Sequence, residues 1–115
     1  MRNLNIELLY TEDCPSHQDA LAQLYRILLE FGIPISSVIL TEISLPDEAE
    51  QARFPGSPTI RIQGIDIIDA DDGPPSLSCR MYRSQSGKFN SLPEDADIRL
   101  ALHRALEEKQ ESDAD

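Results

Sequence analysis

The hydrophobic period of this chain changes once near its start, and that change constrains the fold more than any other feature. Leu4, Ile6, Leu8 and Tyr10 alternate with Asn5, Glu7 and Leu9, the period-two pattern of a β-strand. From about Ser16 the period becomes helical: Ala20, Leu21, Leu24, Ile27, Leu28 and Phe31 form one apolar stripe. Between the two lies Thr11-Glu12-Asp13-Cys14-Pro15. Proline suits the first helical position, where it loses no needed N–H and its φ is already helical. A thiol at Cys14 then faces the unsatisfied N–H groups and positive dipole end of the helix, which favour the thiolate. The stretch Leu8 to Asp19 therefore specifies a strand, a loop and a helix start, with a cysteine at the joint.

The rest of the chain builds on that joint. Gly32 stops the helix as a C-cap glycine does, and Pro34 follows. Val38 to Ile43 reads as a second strand, so strand, crossover helix and strand form a βαβ unit with parallel strands. Ser44 to Asp47 resembles a capping box and opens a short helix to about Ala52. Thr59 to Ile62 reads as a strand that turns at Gln63-Gly64 and returns through Ile65 to Ile68 as a hairpin. Asp69 to Pro75 is a loop by composition, Leu77 to Arg83 reads as an edge strand, and Ser86-Gly87 marks a turn. Pro93-Glu94 opens a last helix with Ile98, Ala101, Leu102, Ala105 and Leu106 on its apolar face. Acidic groups from Glu107 to Asp115 sit at the negative end of that helix and promote fraying. The expected organisation is one domain over residues 1–106 and an acidic, disordered tail over 107–115.

Charge and cysteine usage narrow the function classes. In 115 residues, 10 basic and 21 acidic side chains give a formal net charge of −11. That balance argues against nucleic acid and anionic membranes as partners. No apolar run is long enough to span a bilayer, and Asn3, Asn5 and Glu7 break any signal-peptide pattern. Two cysteines do not make a secreted disulfide framework, so the expected compartment is the cytoplasm.

The candidate chemistry is thiol chemistry. Cys14 reads as a nucleophile or as a small buried hydrophobe, and the polar neighbours Glu12, Asp13, Ser16 and His17 favour an exposed or half-exposed thiol. Asp13 raises the thiol pKa while the helix end lowers it. His17 lies one turn later on the same face, either stabilising the thiolate and moving protons or sitting as a surface residue. His103, in the last helix, has no expected catalytic role. The hairpin return brings the chain back towards Cys14, so Cys79 reads as a distal resolving thiol or as a core cysteine. Bridging requires Cα atoms within about 7 Å. Arg53, Arg61, Arg80 and Arg83 read as a cationic pocket for a carboxylate-bearing thiol or as solvated charges. Cys14, His17 and Cys79 have donors that suit zinc or mercury, but without a paired Cys-x-x-Cys no metal site is assigned.

Two motifs and the element order carry a family resemblance. The order β-α-β-α-β-β-α, with Cys14 at the first helix and Ser57-Pro58-Thr59 at the third strand, resembles the thioredoxin fold. The resemblance implies a mixed four- or five-stranded sheet with helices on both faces, and a cis proline at Pro58 packed beside the reactive cysteine. Ser57 to Gly64, followed by Ile67 and Asp71-Asp72, is similar to the glutaredoxin stretch whose aspartates lie near bound glutathione. Asp13-Cys14-Pro15, Phe54-x-Gly56-Ser57-Pro58-Thr59 and Leu77-Ser78-Cys79-Arg80-x-Tyr82 resemble a group of small bacterial thioredoxin-like proteins, often labelled alkylmercury lyase-like. The likeness runs to Leu106. It implies a thiol-disulfide oxidoreductase acting through Cys14, with Cys79 and His17 as further catalytic candidates. Ser57, Pro58 and Thr59 would bind substrate, a thiol or disulfide carried by a protein or by glutathione as co-substrate, with no resident cofactor. The chain departs from the dithiol pattern, with His17 where a second cysteine would stand, so the site is monothiol by local sequence. The alternative is a non-enzymatic module that binds a soft metal or a partner protein through its thiols.

Overall fold

In the computed structural model, residues 4–68, 75–78, 80–83 and 89–113 are described. The expected loop over 69–74, with Asp71-Asp72, the turn at Ser86-Gly87 and Cys79 itself lie outside them. Strands β1 (Ile6–Tyr10), β2 (Val38–Glu42), β3 (Thr59–Ile62) and β4 (Ile65–Asp66) form one mixed sheet in the order β2-β1-β3-β4. β1 runs parallel to β2, with Leu8 opposite Leu40, and antiparallel to β3, with Leu8 opposite Ile60. β3 and β4 form the expected hairpin, shorter than Ile65 to Ile68 predicts. Gln63 and Gly64 both have positive φ, 55° and 78°, the type I′ geometry whose twist matches the flanking strands.

Because β1 is central, both its faces are covered. Ile6 and Leu8 point to one face, where Ile60 and Ile62 of β3 join Ala20, Leu24, Ile27 and Leu28 of α1 (Ser16–Glu30) and Ile98, Leu102 and Ala105 of α3 (Asp95–Asp113). Leu9 points to the other, against Ile43, Phe54 and Ala49 of α2 (Pro46–Ala52). Helices thus lie on both faces of the sheet. Gln23 and Arg26 of α1 meet Asp95 of α3, and Glu30 meets Arg99, fixing the two helices side by side.

The helix ends follow local chemistry. Gly32, at φ 68°, closes α1 with bonds from its N–H to Leu29 and from the Ile33 N–H to Leu28, a Schellman motif. At α2 the expected pairing is corrected. Pro46 is the first helical residue and Leu45 its cap, so the carboxylate that reaches back is Glu48 and not Asp47. Glu48 Oε1 accepts from the backbone N–H groups of Ser44 and Leu45 and from the Ser44 hydroxyl, which holds its pKa below the usual carboxylate value. The other end of α2 closes on Arg53 at φ 51°, and the Arg61 guanidinium donates to the Ala52 and Arg53 carbonyls.

Two further expectations change. Leu77 to Arg83 is not an edge strand of the main sheet. Among the described residues there, only Tyr82–Arg83 (β5) forms a strand, and it pairs with Phe89–Asn90 (β6) in a separate ribbon. α3 does not stop near Leu106 but runs on through Asp113, into the acidic segment. Among the described residues no helix is long and apolar enough to cross a membrane.

Candidate functional site

The strand–cysteine–helix joint meets the start of β3. After β1 the chain turns through Thr11 to Cys14, whose N–H donates to the Thr11 carbonyl at 3.2 Å. The Ser57–Pro58 peptide bond is cis, as the resemblance implies. The Thr11 N–H donates to Ser57 Oγ at 3.0 Å, and Cys14 Sγ lies 3.5 Å from the Ser57 carbonyl oxygen. These contacts put the cysteine beside the residue that precedes the cis proline.

Cys14 itself is buried, at 2% exposure, and disulfide-bonded. The expected half-exposed thiol is thereby corrected. Glu12, Asp13 and Pro15 do reach solvent, as their polarity or position demands, but Cys14 turns inward under Ser57. The other cysteine of the sequence, Cys79, lies outside the described residues, but the residues on either side of it are placed. Ser57 donates its N–H to the Ser78 carbonyl at 2.9 Å and accepts from the Arg80 N–H at 2.7 Å. Further back, the Ser76 N–H donates to the Phe54 carbonyl. Ser76, Ser78 and Arg80 are thus tied to Phe54 and Ser57 by isolated backbone bonds, and these described residues do not join the sheet.

Close approach at this point requires glycine at position 56. Its φ is 136°, and a β-carbon there would lie 3.0 Å from both the Ser78 carbonyl oxygen and Arg80 Cβ. The remaining substrate-binding candidates are buried: Pro58 and Thr59 lie inside, and Thr59 Oγ1 donates to the Gly56 carbonyl at 2.7 Å. The Tyr82 hydroxyl donates to the Pro58 carbonyl, and burial pushes its pKa far above the ordinary phenol value.

Two of the four arginines are committed to partners of their own. Arg80, only 8% exposed, pairs with Asp66 at 2.9 Å, donates to the Ile68 carbonyl at 3.0 Å and lies over the Tyr82 ring. Burial raises the Asp66 pKa by more than the Arg80 charge lowers it. Arg61 is committed to the end of α2, and the Arg83 side chain lies outside the described set. Asp66 is a contributor that sequence reasoning passes over, and Gly56 and Tyr82 enter it only as members of the motifs that carry the resemblance. Gly56, set before a Ser-Pro pair, carries a readable backbone signal, whereas nothing around Asp66 marks it.

His17 faces the backbone. A carbonyl oxygen can only accept, so the 2.6 Å contact to the Cys14 carbonyl makes Nδ1 the donor. The ring stacks on Tyr10, with centroids 4.5 Å apart. His103 packs edge-on against Phe31.

A cleft of about 190 Å³ opens beside the joint, lined by Thr11, Glu12, Asp13, Glu42, Ile43 and Leu77 among others. The Thr11 hydroxyl is buried without a hydrogen-bond partner, which costs about 1–3 kcal/mol. A second cleft of about 230 Å³, between β4 and α3, shares no lining residue with the first. Among the described residues no group of three or more His, Cys, Asp or Glu is placed to hold a metal ion. Comparison of the chain with family models, curated proteins and solved structures finds no match.

Proposed function

We propose that this chain is a thioredoxin-like thiol-disulfide oxidoreductase whose redox centre is a Cys14–Cys79 pair. The observation that carries the reading is the shared use of Ser57. Its carbonyl oxygen lies 3.5 Å from Cys14 Sγ and accepts from Arg80, while its N–H donates to Ser78, so it joins the disulfide-bonded Cys14 to both neighbours of Cys79. The sequence holds no third cysteine. The sheet order, the helices on both faces and the cis peptide bond before Pro58 support the fold assignment.

Burial sets the direction of attack. An external thiolate meets Cys14 shielded, so it attacks the Cys79 sulfur, and the S–S bond to Cys14 breaks. Cys14 departs as the thiolate, favoured by the positive end of α1, and takes up a proton. A second thiolate of the substrate then attacks the substrate sulfur of the mixed disulfide. That step closes the substrate disulfide and releases Cys79, which is protonated in turn. Two electrons and two protons pass from a substrate dithiol to the protein, and a disulfide substrate runs the sequence backwards. His17 serves as a positioning residue, holding the Cys14 carbonyl.

Incubating the oxidised protein with a dithiol peptide tests the reading. Two protein thiols and one peptide disulfide should appear faster than the same peptide reduces cystine. A rate no greater than that for cystine would mark a closed structural bridge.

A further inference from the structure

We propose that the cleft beside Cys14 selects cationic thiol substrates, peptides whose cysteine is flanked by lysine or arginine. The proposal rests on the thiol-exchange reading for the role of Cys14, but its evidence is separate. Glu12 and Asp13 reach the cleft from the loop that ends at Cys14, and Glu42 from the end of β2. All three are exposed, and none takes part in the ion pairs formed among the described residues. Arg80 is spent on Asp66 and Arg61 on the end of α2. Leu77 and Ile43 add an apolar wall suited to the methylene stem of a long basic side chain. Thr11, buried and with its hydroxyl unpartnered, lines the same cleft.

The spacing of the carboxylates separates a side chain from a bare cation. Among the described residues no three acidic, histidine or cysteine groups converge as a metal site requires. A guanidinium or ammonium on a flexible stem needs no such convergence. An anionic thiol such as glutathione meets three unneutralised carboxylates, which slow its approach.

Three peptides of equal length test this on the oxidised full chain. One carries a cysteine between lysines, one a cysteine between glutamates, and the third is the lysine peptide with serine for cysteine. Titration with the serine peptide should shift the amide signals of Thr11 to Asp13 and Glu42 to Ser44. Those shifts should weaken with added salt and in the Glu12→Gln, Glu42→Gln double variant. The lysine cysteine peptide should exchange at least about tenfold faster than the glutamate peptide at low salt. Equal exchange rates, or no shifts at the cleft, would overturn the proposal. Cleft binding by the serine peptide without exchange by either cysteine peptide would uphold the ligand class and overturn the exchange reading instead.

Discussion

Arg80 and Ser57 are joined backbone to backbone, the Arg80 N–H donating to the Ser57 carbonyl at 2.7 Å, and that same oxygen sits 3.5 Å from Cys14 Sγ. One atom therefore links the cis-proline turn, the cysteine joint and the segment that carries the second cysteine. The side chain of Arg80 extends the link to Asp66 at the end of β4.

Opening the Cys14 disulfide should destabilise the fold. A bridge that closes a long loop contributes about 2–4 kcal/mol by restricting the unfolded chain. Urea unfolding of oxidised and reduced protein should show a lower midpoint for the reduced form. Coincident curves would mean that the bridge constrains nothing.

Gly56→Ala should loosen the attachment of Ser78 and Arg80 to Ser57. The substituted β-carbon meets the Ser78 carbonyl and Arg80 at 3.0 Å, and φ of 136° is strained for any L side chain. The expected loss is about 1–3 kcal/mol, with faster amide exchange at Ser57 and Arg80. A variant as stable as the parent, with unchanged protection, would contradict the packing described.

Arg80→Met should cost about 1–3 kcal/mol at neutral pH, because it leaves the half-buried Asp66 carboxylate without its partner. Asp66 already has its pKa raised by burial. A raised folded value means that the stability linked to its proton is fully present below the unfolded value and lost as pH rises through the folded one. Removing Arg80 raises that folded value further, so the penalty should shrink on acidification towards the carboxylate range. Glu48, with its pKa lowered by Ser44 and Leu45, has the opposite sign: its contribution is present above the unfolded value and lost as pH falls through the folded one. Chemical unfolding across pH should show the Arg80→Met deficit narrowing at low pH. A constant deficit, or little loss at neutral pH with Asp66→Asn no better tolerated in the Met background, would contradict the role given to the Arg80–Asp66 pair.

Local signals carried the frame of this fold. The switch of period at Cys14, Gly32 at the end of α1 and Gln63-Gly64 in the hairpin each act within a few residues, and each stands where expected. All but one of the failures involve contacts distant in sequence. Polar neighbours predict an exposed Cys14, but Ser57, remote in sequence, lies over it. The apolar content of Leu77 to Arg83 predicts a strand, but bonds to Phe54 and Ser57 hold part of that segment away from the sheet. The four arginines look like one cluster because sequence shows their number, not that Asp66 and the α2 carbonyls claim two of them. At α2 a single position separates Asp47 from Glu48, and Pro46 decides which residue starts the helix.

The two single-cysteine variants, Cys14→Ser and Cys79→Ser, test the central claim most directly. Each is mixed with a symmetrical peptide disulfide, and intact mass follows the formation of the mixed disulfide over time. The account predicts rapid capture of peptide by Cys79 in the Cys14→Ser variant. Capture by Cys14 in the Cys79→Ser variant should be slower than by free cysteine at the same pH. Rapid capture at Cys14 with none at Cys79, or no capture by either variant, would contradict it.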